Sequence, residues 1–246
     1  RGARWPLDDR DADLALQRLA ALPQGAARRT LALRIKLKAT RLARQTQEAL
    51  DTARLLGKHR AFSADAAQSI VRGLAIELIN SAHDTSQLQQ TWQQLEQLER
   101  NMPELAIHAA QRLVNLGGEP AQARTWLLPV WERMVQLPNA LPDHHALKLV
   151  RALESGLDTL DAAWLARIES AQLANPRDAR LQYLAGVACL KRQLWGKAQQ
   201  LLTQAIPHLT DAGLRASAWR HLAALAERRN DGEAAAEAWK KAALAH

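Results

Sequence analysis

The chain has one cysteine, one tyrosine and one phenylalanine among its 246 residues. A single cysteine excludes an intramolecular disulfide and any zinc site built from several cysteines. This residue, Cys189, falls at an inward-facing place of the repeat described below. We therefore expect a buried and unreactive thiol.

Long apolar runs are also missing, because no stretch approaches the roughly 20 residues that cross a bilayer. Glycine and proline are sparse, with 11 and 9 residues, and β-branched residues are few. Alanine, leucine, glutamine, arginine and glutamate dominate, which favours helix almost everywhere and predicts essentially no sheet. The first residue is arginine rather than methionine, so we expect that an upstream segment has been removed.

Small residues recur at fixed places in the last third of the chain. Residues 179–210 carry them at the eighth, twentieth and twenty-seventh places of a two-helix unit, and the unit from Ala216 repeats the pattern: Gly186, Ala198 and Ala205, then Ala223, Ala235 and Ala242. Small side chains let antiparallel helices approach closely, and such units bury their apolar faces only by stacking. The pattern predicts an all-α, tetratricopeptide-repeat-like superhelix, or solenoid, of about thirteen antiparallel helices.

Helical periodicity and the breaks between periodic segments predict the individual helices. An opening helix at about 10–22 is followed by six pairs: 30–42 with 46–58, 63–81 with 86–100, 103–116 with 120–137, 142–156 with 160–174, 178–191 with 195–209, and 212–229 with 232–245. Pro129 lies inside one predicted helix and is expected to kink or break it. We divide the one solenoid into a partial leading repeat at 1–29, a cationic hairpin at 30–60, divergent hairpins at 61–174 and two C-terminal repeats at 175–246.

Tryptophan is the abundant aromatic residue, with eight copies. Seven of them fall on apolar helical stripes, where large side chains fill the space between helices. We expect these seven to belong to the core: Trp92, Trp126, Trp131, Trp164, Trp195, Trp219 and Trp239.

Several short motifs resemble the HemY family of bacterial inner-membrane tetratricopeptide-repeat proteins associated with haem biosynthesis. They are LWGKAQQLL at 194–202, Asn-Pro-Arg-Asp at 175–178, Gly186, and Leu-Ala-Arg at 42–44 leading to Glu-Ala-Leu at 48–50. The similarity is strong over 160–246 and loose over 60–155, where the repeats depart from the consensus.

The resemblance implies two membrane-spanning helices upstream of Arg1 and a repeat domain on the cytoplasmic side of the inner membrane. It implies no enzyme, and the chain has no Gly-x-Gly-x-x-Gly motif for a dinucleotide. It also implies partners among the enzymes of late haem (protoporphyrin and protohaem) biosynthesis, such as ferrochelatase or the oxidases before it.

The net charge of +8 comes from one segment. Positive and negative residues cancel over 1–27 and again over 61–246, whereas residues 28–60 hold ten cations opposed only by Glu48 and Asp51. Arg34, Lys38 and Arg41 follow helical spacings of four and three residues, which places them on one stripe. In tetratricopeptide domains, which the chain resembles, these places line the concave groove where partner segments bind.

Four interpretations of this stripe remain open. It is a solvated face that keeps the domain soluble, a site for an acidic protein segment, a site for anionic lipid headgroups, or a site for porphyrin propionates. Nucleic acid is disfavoured, because the cations are confined to one hairpin and no recognition motif accompanies them. The predicted partner-binding residues are Arg34, Lys38, Arg41 and Arg44.

Catalytic and metal-binding patterns are not found in the sequence. His144 and His145 are adjacent, and because neighbouring helical residues point about 100° apart they cannot easily hold one ion. They remain candidates for haem ligation. The serines lack a Gly-x-Ser-x-Gly elbow, and the paired carboxylates lie on polar helix faces beside cations. We therefore predict a non-catalytic scaffold without a resident metal or cofactor, with two alternatives: direct porphyrin or haem binding, and a structural role in the envelope unrelated to haem.

Overall fold

The computed structural model describes residues 11–27, 29–136 and 140–245. These residues form helices and no strand. Thirteen helices have nine residues or more: α1 Ala12–Ala20, α2 Thr30–Leu42, α3 Thr46–Lys58, α4 Ala64–Ser81, α5 Thr85–Gln94, α6 Pro103–Asn115, α7 Pro120–Gln136, α8 Asp143–Glu154, α9 Ala162–Ala174, α10 Ala179–Lys191, α11 Trp195–Ala205, α12 Ala212–Arg228 and α13 Gly232–Leu244. The predicted all-α fold is confirmed. Residues 10 and 137, the predicted ends of two helices, lie outside the described residues.

The chain forms two compact units, residues 1–117 and 118–246. In the first unit, consecutive helices α1 to α4 pack on one another, and α6 packs on α4 and α5. In the second unit, the most extensive packing joins α10 to α11 and α12 to α13. Both units are thus built from antiparallel helical pairs of the tetratricopeptide type. The proposed boundaries at 29, 60 and 174 follow the repeats rather than these units and stay predictions.

The predicted small residues lie where helices meet. Ala198, Ala205 and Ala223 are fully buried, and a Cβ added to Gly186 would lie 2.9 Å from Cγ of Leu202. Glycine at 186 therefore permits the close approach of α10 and α11. Cys189 is buried as expected, and burial raises the pKa of its thiol, which keeps the nucleophilic thiolate scarce.

Aspartate and serine side chains begin many of the helices. The side-chain oxygen of the residue before the helix accepts a hydrogen bond from a backbone N–H of the first turn. This arrangement occurs at Asp11, Ser63, Asp84, Asp161, Asp178, Asp211 and Asp231.

A shared backbone motif ends four of the helices. Each is followed by a residue other than glycine with positive φ: Arg44, Arg60, Gln193 and Asn230, at 57°, 51°, 61° and 59°. At the end of α2, the N–H of Gln45 donates to the carbonyl of Thr40 and the N–H of Arg44 donates to that of Arg41. This Schellman pattern closes the helix. Three of the four residues join the two helices of one pair, so the same turn recurs in both units.

One prediction about helix continuity was wrong, and another was wrong in part. Residues 86–100 do not form one helix, because Leu95 and Glu96 are extended and a short turn, Gln97–Arg100, begins after them. A guanidinium N–H of Arg54 donates to the carbonyl of Gln94, which occupies the helix end at that point. Conversely, α7 is not broken at Pro129, and the alternative prediction of a kink there stays a prediction. Val130 and Trp131 beside it are buried, so packing offsets the lost hydrogen bond.

The tryptophan prediction holds for four residues and is wrong for one. Trp92, Trp126, Trp131 and Trp164 are buried. Trp195 and Trp219 are half-buried. The guanidinium of Arg228 on α12 lies over the ring of Trp195, and the ammonium of Lys241 on α13 lies over the ring of Trp219. Trp239 is 43% exposed, and its Nε1–H donates to a carboxylate oxygen of Glu227 at 2.7 Å.

Candidate partner-binding groove

The four predicted partner-binding residues line one groove in the first unit. Its volume is about 610 Å³, within the range of roughly 300 to 1,000 Å³ that is usual for ligand sites. Helix α2 supplies most of one wall, the turn after α2 and the start of α3 supply its end, and α4 supplies the facing wall. The lining residues are Arg34, Leu37, Lys38, Arg41, Leu42, Arg44, Thr46, Leu74 and Glu77. The groove thus lies between the first helices of two successive pairs.

Arg34 differs from the other three cations because it is held by the protein itself. Its Nη2 donates to the backbone carbonyl of Ala61, and its guanidinium carbon lies 5.2 Å from the centre of the Phe62 ring. Both partners belong to the turn between α3 and α4. These two contacts hold the guanidinium of Arg34 against that turn.

Lys38, Arg41 and Arg44 are exposed and form no ion pair within the part of the chain that the structure describes. Lys38 and Arg41 lie on the same stripe of α2. Arg44 is in the left-handed turn just beyond the helix, which directs the chain from α2 into α3. Together they form a cationic cluster for which the described residues supply no ion-pair partner.

Several other cations of residues 28–60 are neutralised by acidic neighbours. Lys36 lies 3.7 Å from a carboxylate oxygen of Glu48, and Lys58 lies 3.6 Å from one of Glu96. Arg54 pairs with Asp51 and with the buried Glu99. Four cations of this segment therefore line the groove, whereas Lys36, Arg54 and Lys58 have acidic partners elsewhere.

The floor and the facing wall of the groove are features that sequence reasoning missed. Leu37 and Leu74 are buried, whereas Leu42 is 48% exposed and presents apolar surface to the groove. Glu77 on α4 is exposed, and within the described residues it forms no ion pair. Leu74 and Glu77 join the site through the packing of α4, which the spacing of the cations on α2 does not show. The groove consequently combines a cationic rim, an apolar floor and one carboxylate.

In the second unit, ion pairs and a hydrogen bond join polar side chains of three helices. Arg151 on α8 reaches Asp211 at the start of α12 at 2.6 Å. One turn further along α8, Glu154 accepts a hydrogen bond from the Tyr183 hydroxyl at 2.6 Å and lies 3.5 Å from Nε2 of His221. These contacts join α8, α10 and α12, so the polar groups there are already engaged with one another.

The two adjacent histidines do not form a joint site. His145 is buried, whereas His144 is exposed and lines a separate depression of about 660 Å³ together with Asp143, Asp178 and Asp211. Their ring centres are 3.9 Å apart, so they contact each other rather than converge on a third group. Among the described residues no cluster of three His, Cys, Asp or Glu side chains has the arrangement of a metal site. In the same part of the chain, none of the helices has the length and apolar character needed to cross a membrane.

Comparisons with known proteins add a general likeness of architecture. No family model matches the sequence, and no curated protein matches it. Among solved structures, one described as MamA 41-end from Desulfovibrio magneticus RS-1 is 21% identical, with a TM-score of 0.45 over 72% of this chain and 94% of that one. Another, the MamA RS-1 ArsTM double mutant, is 21% identical with a TM-score of 0.44 over 72% of this chain and 93% of that one. At these values the likeness supports no inference about function.

Proposed function

We propose that the chain is a non-catalytic protein–protein interaction scaffold whose cationic groove binds an acidic segment of a partner protein. The observation that carries the proposal is the cluster of Lys38, Arg41 and Arg44, which share one groove and have no counterion within the described residues. Like charges at helical spacing disfavour the isolated helix by a few tenths of a kcal/mol per pair. An anionic partner removes that cost and is steered toward the groove by its field.

The biological setting of the proposal comes from the resemblance to the HemY family. We propose that the full protein is held at the bacterial inner membrane with these repeats facing the cytoplasm. Its partners would be enzymes of the last steps of haem biosynthesis. The support is the sequence similarity of residues 175–178 and 194–202, and the groove supplies a surface on which such a role can be tested.

Affinity capture from bacterial membrane extracts tests both statements. The bait proteins are the chain, a groove variant with Lys38→Glu and Arg41→Glu, and a control with Lys148→Glu and Arg220→Glu, which makes the same charge change on exposed residues of the second unit. We expect late haem enzymes with the chain and the control but not with the groove variant.

Two other results of the capture would contradict parts of the proposal. The same proteins on all three baits would disprove groove binding. Groove-dependent capture of envelope-assembly proteins alone would retain the scaffold and overturn the link to haem.

Direct haem handling is the competing function, and it has its own readout. Haemin added to the chain at micromolar concentration should leave the Soret band unshifted if the chain is a scaffold only. A shift that His144→Ala or His145→Ala abolishes would instead make the chain a haem-binding protein. A shift abolished by Lys38→Glu and Arg41→Glu would identify the groove as a site for porphyrin propionates.

A further inference from the structure

The geometry points to a more specific ligand for the groove: we infer that it binds a short acidic segment carrying one leucine-like side chain among its carboxylates. This inference rests on the proposed function and narrows the class of partner. It depends on three features of the same site, which are the length of the cationic stripe, the apolar floor and the carboxylate on the facing wall.

The length of the stripe suits a short segment. Arg34 and Arg41 are seven residues apart on α2, which is about 10 Å along the axis at 1.5 Å per residue. An extended chain covers that distance in about three residues. Two or three carboxylates on a short segment therefore meet Lys38, Arg41 and Arg44 together.

The floor favours an apolar side chain in the middle of that segment. Leu37 and Leu74 are buried in the lining, whereas Leu42 keeps 48% of its surface exposed and offers apolar surface to a ligand. A leucine placed on Leu42 removes apolar surface from water on both partners. A segment that offers only carboxylates leaves the apolar surface of the groove in contact with water.

The facing wall argues against a membrane surface as the occupant. A bilayer is broad and flat, whereas Lys38 and Arg41 line a groove whose other wall carries the carboxylate of Glu77. That carboxylate would face an anionic headgroup layer and repel it. A narrow segment can instead meet the cations and turn its uncharged side toward Glu77.

Fluorescence anisotropy with two labelled nine-residue peptides tests the inference. The probe peptide is GSDDLDDSG, and the matched peptide GSDDSDDSG replaces its leucine with serine. The proteins are the chain, a variant with Lys38→Gln and Arg41→Gln, the single variants Leu42→Ser and Glu77→Gln, and the control with Lys148→Gln and Arg220→Gln. All of the changed side chains are exposed, so circular dichroism should show the same helix content in each.

The expected pattern separates charge from apolar contact. The chain binds the leucine peptide about tenfold more tightly than the serine peptide, in line with one partly buried leucine. Leu42→Ser removes most of that preference. Lys38→Gln with Arg41→Gln weakens both peptides about tenfold, Glu77→Gln strengthens both a few-fold, and the control changes neither.

Each other outcome overturns a specific statement. If the two peptides bind equally and Lys38→Gln with Arg41→Gln abolishes both, the inference of a leucine contact is wrong and the cationic groove is supported. If neither peptide binds, or if Lys38→Gln with Arg41→Gln leaves the affinity unchanged, the proposed function is wrong as well. Binding to phosphatidylglycerol vesicles but not to phosphatidylcholine vesicles, without peptide binding, would assign the groove to a lipid surface.

Discussion

Arg54 on α3 binds the buried carboxylate of Glu99 through two hydrogen bonds, from Nε to Oε1 at 2.8 Å and from Nη2 to Oε2 at 2.6 Å. Glu99 is 3% exposed, and its Oε2 also accepts the backbone N–H of Glu96. The same guanidinium donates to the carbonyl of Gln94. The ion pair of Arg54 with Glu99 therefore holds the segment after α5 against α3, whose first residue lines the groove.

Breaking this pair from one side should destabilise the first unit strongly. Arg54→Ala leaves a buried carboxylate without its partner, which costs about 3 kcal/mol. The measurement is urea unfolding followed by tryptophan fluorescence, with amide hydrogen exchange of α3 as the local readout. Lys58→Ala is the control, because its exposed pair with Glu96 contributes less than about 1 kcal/mol. An equal loss in the two variants would show that the buried pair has no special role.

Two helical glycines of the second unit should respond in opposite directions to alanine. At Gly186 the new Cβ would lie 2.9 Å from Cγ of Leu202 and 3.3 Å from its backbone nitrogen, so the helices must separate. We expect a loss of about 1 to 3 kcal/mol. A Cβ added at Gly196 would meet no neighbouring atom within 4 Å. Alanine there should raise the free energy of unfolding by about 0.5 to 1 kcal/mol. Thermal unfolding followed by circular dichroism compares them, and a gain at Gly186 would mean that α10 and α11 do not approach this closely.

The single tyrosine should make the folded chain sensitive to alkaline pH. Burial, and then the carboxylate of Glu154, raise the pKa of Tyr183 above its ordinary value near 10. The folded state therefore keeps a proton that the unfolded state loses, so stability is present below about pH 10 and falls above it by up to about 1.4 kcal/mol per pH unit.

Tyr183→Phe isolates this effect. The variant loses the hydrogen bond to Glu154, which costs about 1 kcal/mol at neutral pH, but its stability should fall less between about pH 9 and about pH 11. Urea midpoints measure the stability, and tyrosinate absorbance follows ionisation directly because the chain has one tyrosine. Tyrosinate appearing in the folded chain with a midpoint near 10 would contradict the prediction.

Local signals in the sequence explain why so much of the fold could be predicted. The bounds of α2 and α3 agree with the predicted 30–42 and 46–58, because their periodic leucines and alanines end at polar turn residues. The stripe of Arg34, Lys38 and Arg41 follows from helical spacing alone. The failures depend on distant residues. The break after Gln94 involves Arg54, forty residues away.

The candidate site shows the same division. Its cationic wall belongs to one helix and is readable from one stretch of sequence, whereas Leu74 and Glu77 come from α4 and require knowledge of how two helical pairs stack. The contact of Arg34 with Ala61 and Phe62 also depends on a neighbouring turn. Net charge alone does not reveal that Lys36, Arg54 and Lys58 are paired, which leaves fewer cations free for a partner.

Arg44 offers a test in which stability and binding should change in opposite directions. Its φ of 57° is strained for any residue with a side chain, and glycine adopts it readily. Arg44→Gly should therefore raise the free energy of unfolding by about 0.5 to 1 kcal/mol, the relief of strain being partly offset by the greater freedom of the unfolded chain. Because the change also removes a cation from the groove, GSDDLDDSG should bind several-fold more weakly.

The matched control for Arg44→Gly is Gln193→Gly, which changes the same backbone position in the turn between α10 and α11 at a φ of 61°. It should give a similar gain in thermal stability and leave peptide binding unchanged, since Gln193 does not line the groove. Unaltered binding in Arg44→Gly would mean that arginine at 44 contributes nothing to the groove. Weaker peptide binding in Arg44→Gly but not in Gln193→Gly would show that the side chain of Arg44, and not the shape of its turn, contributes to the groove.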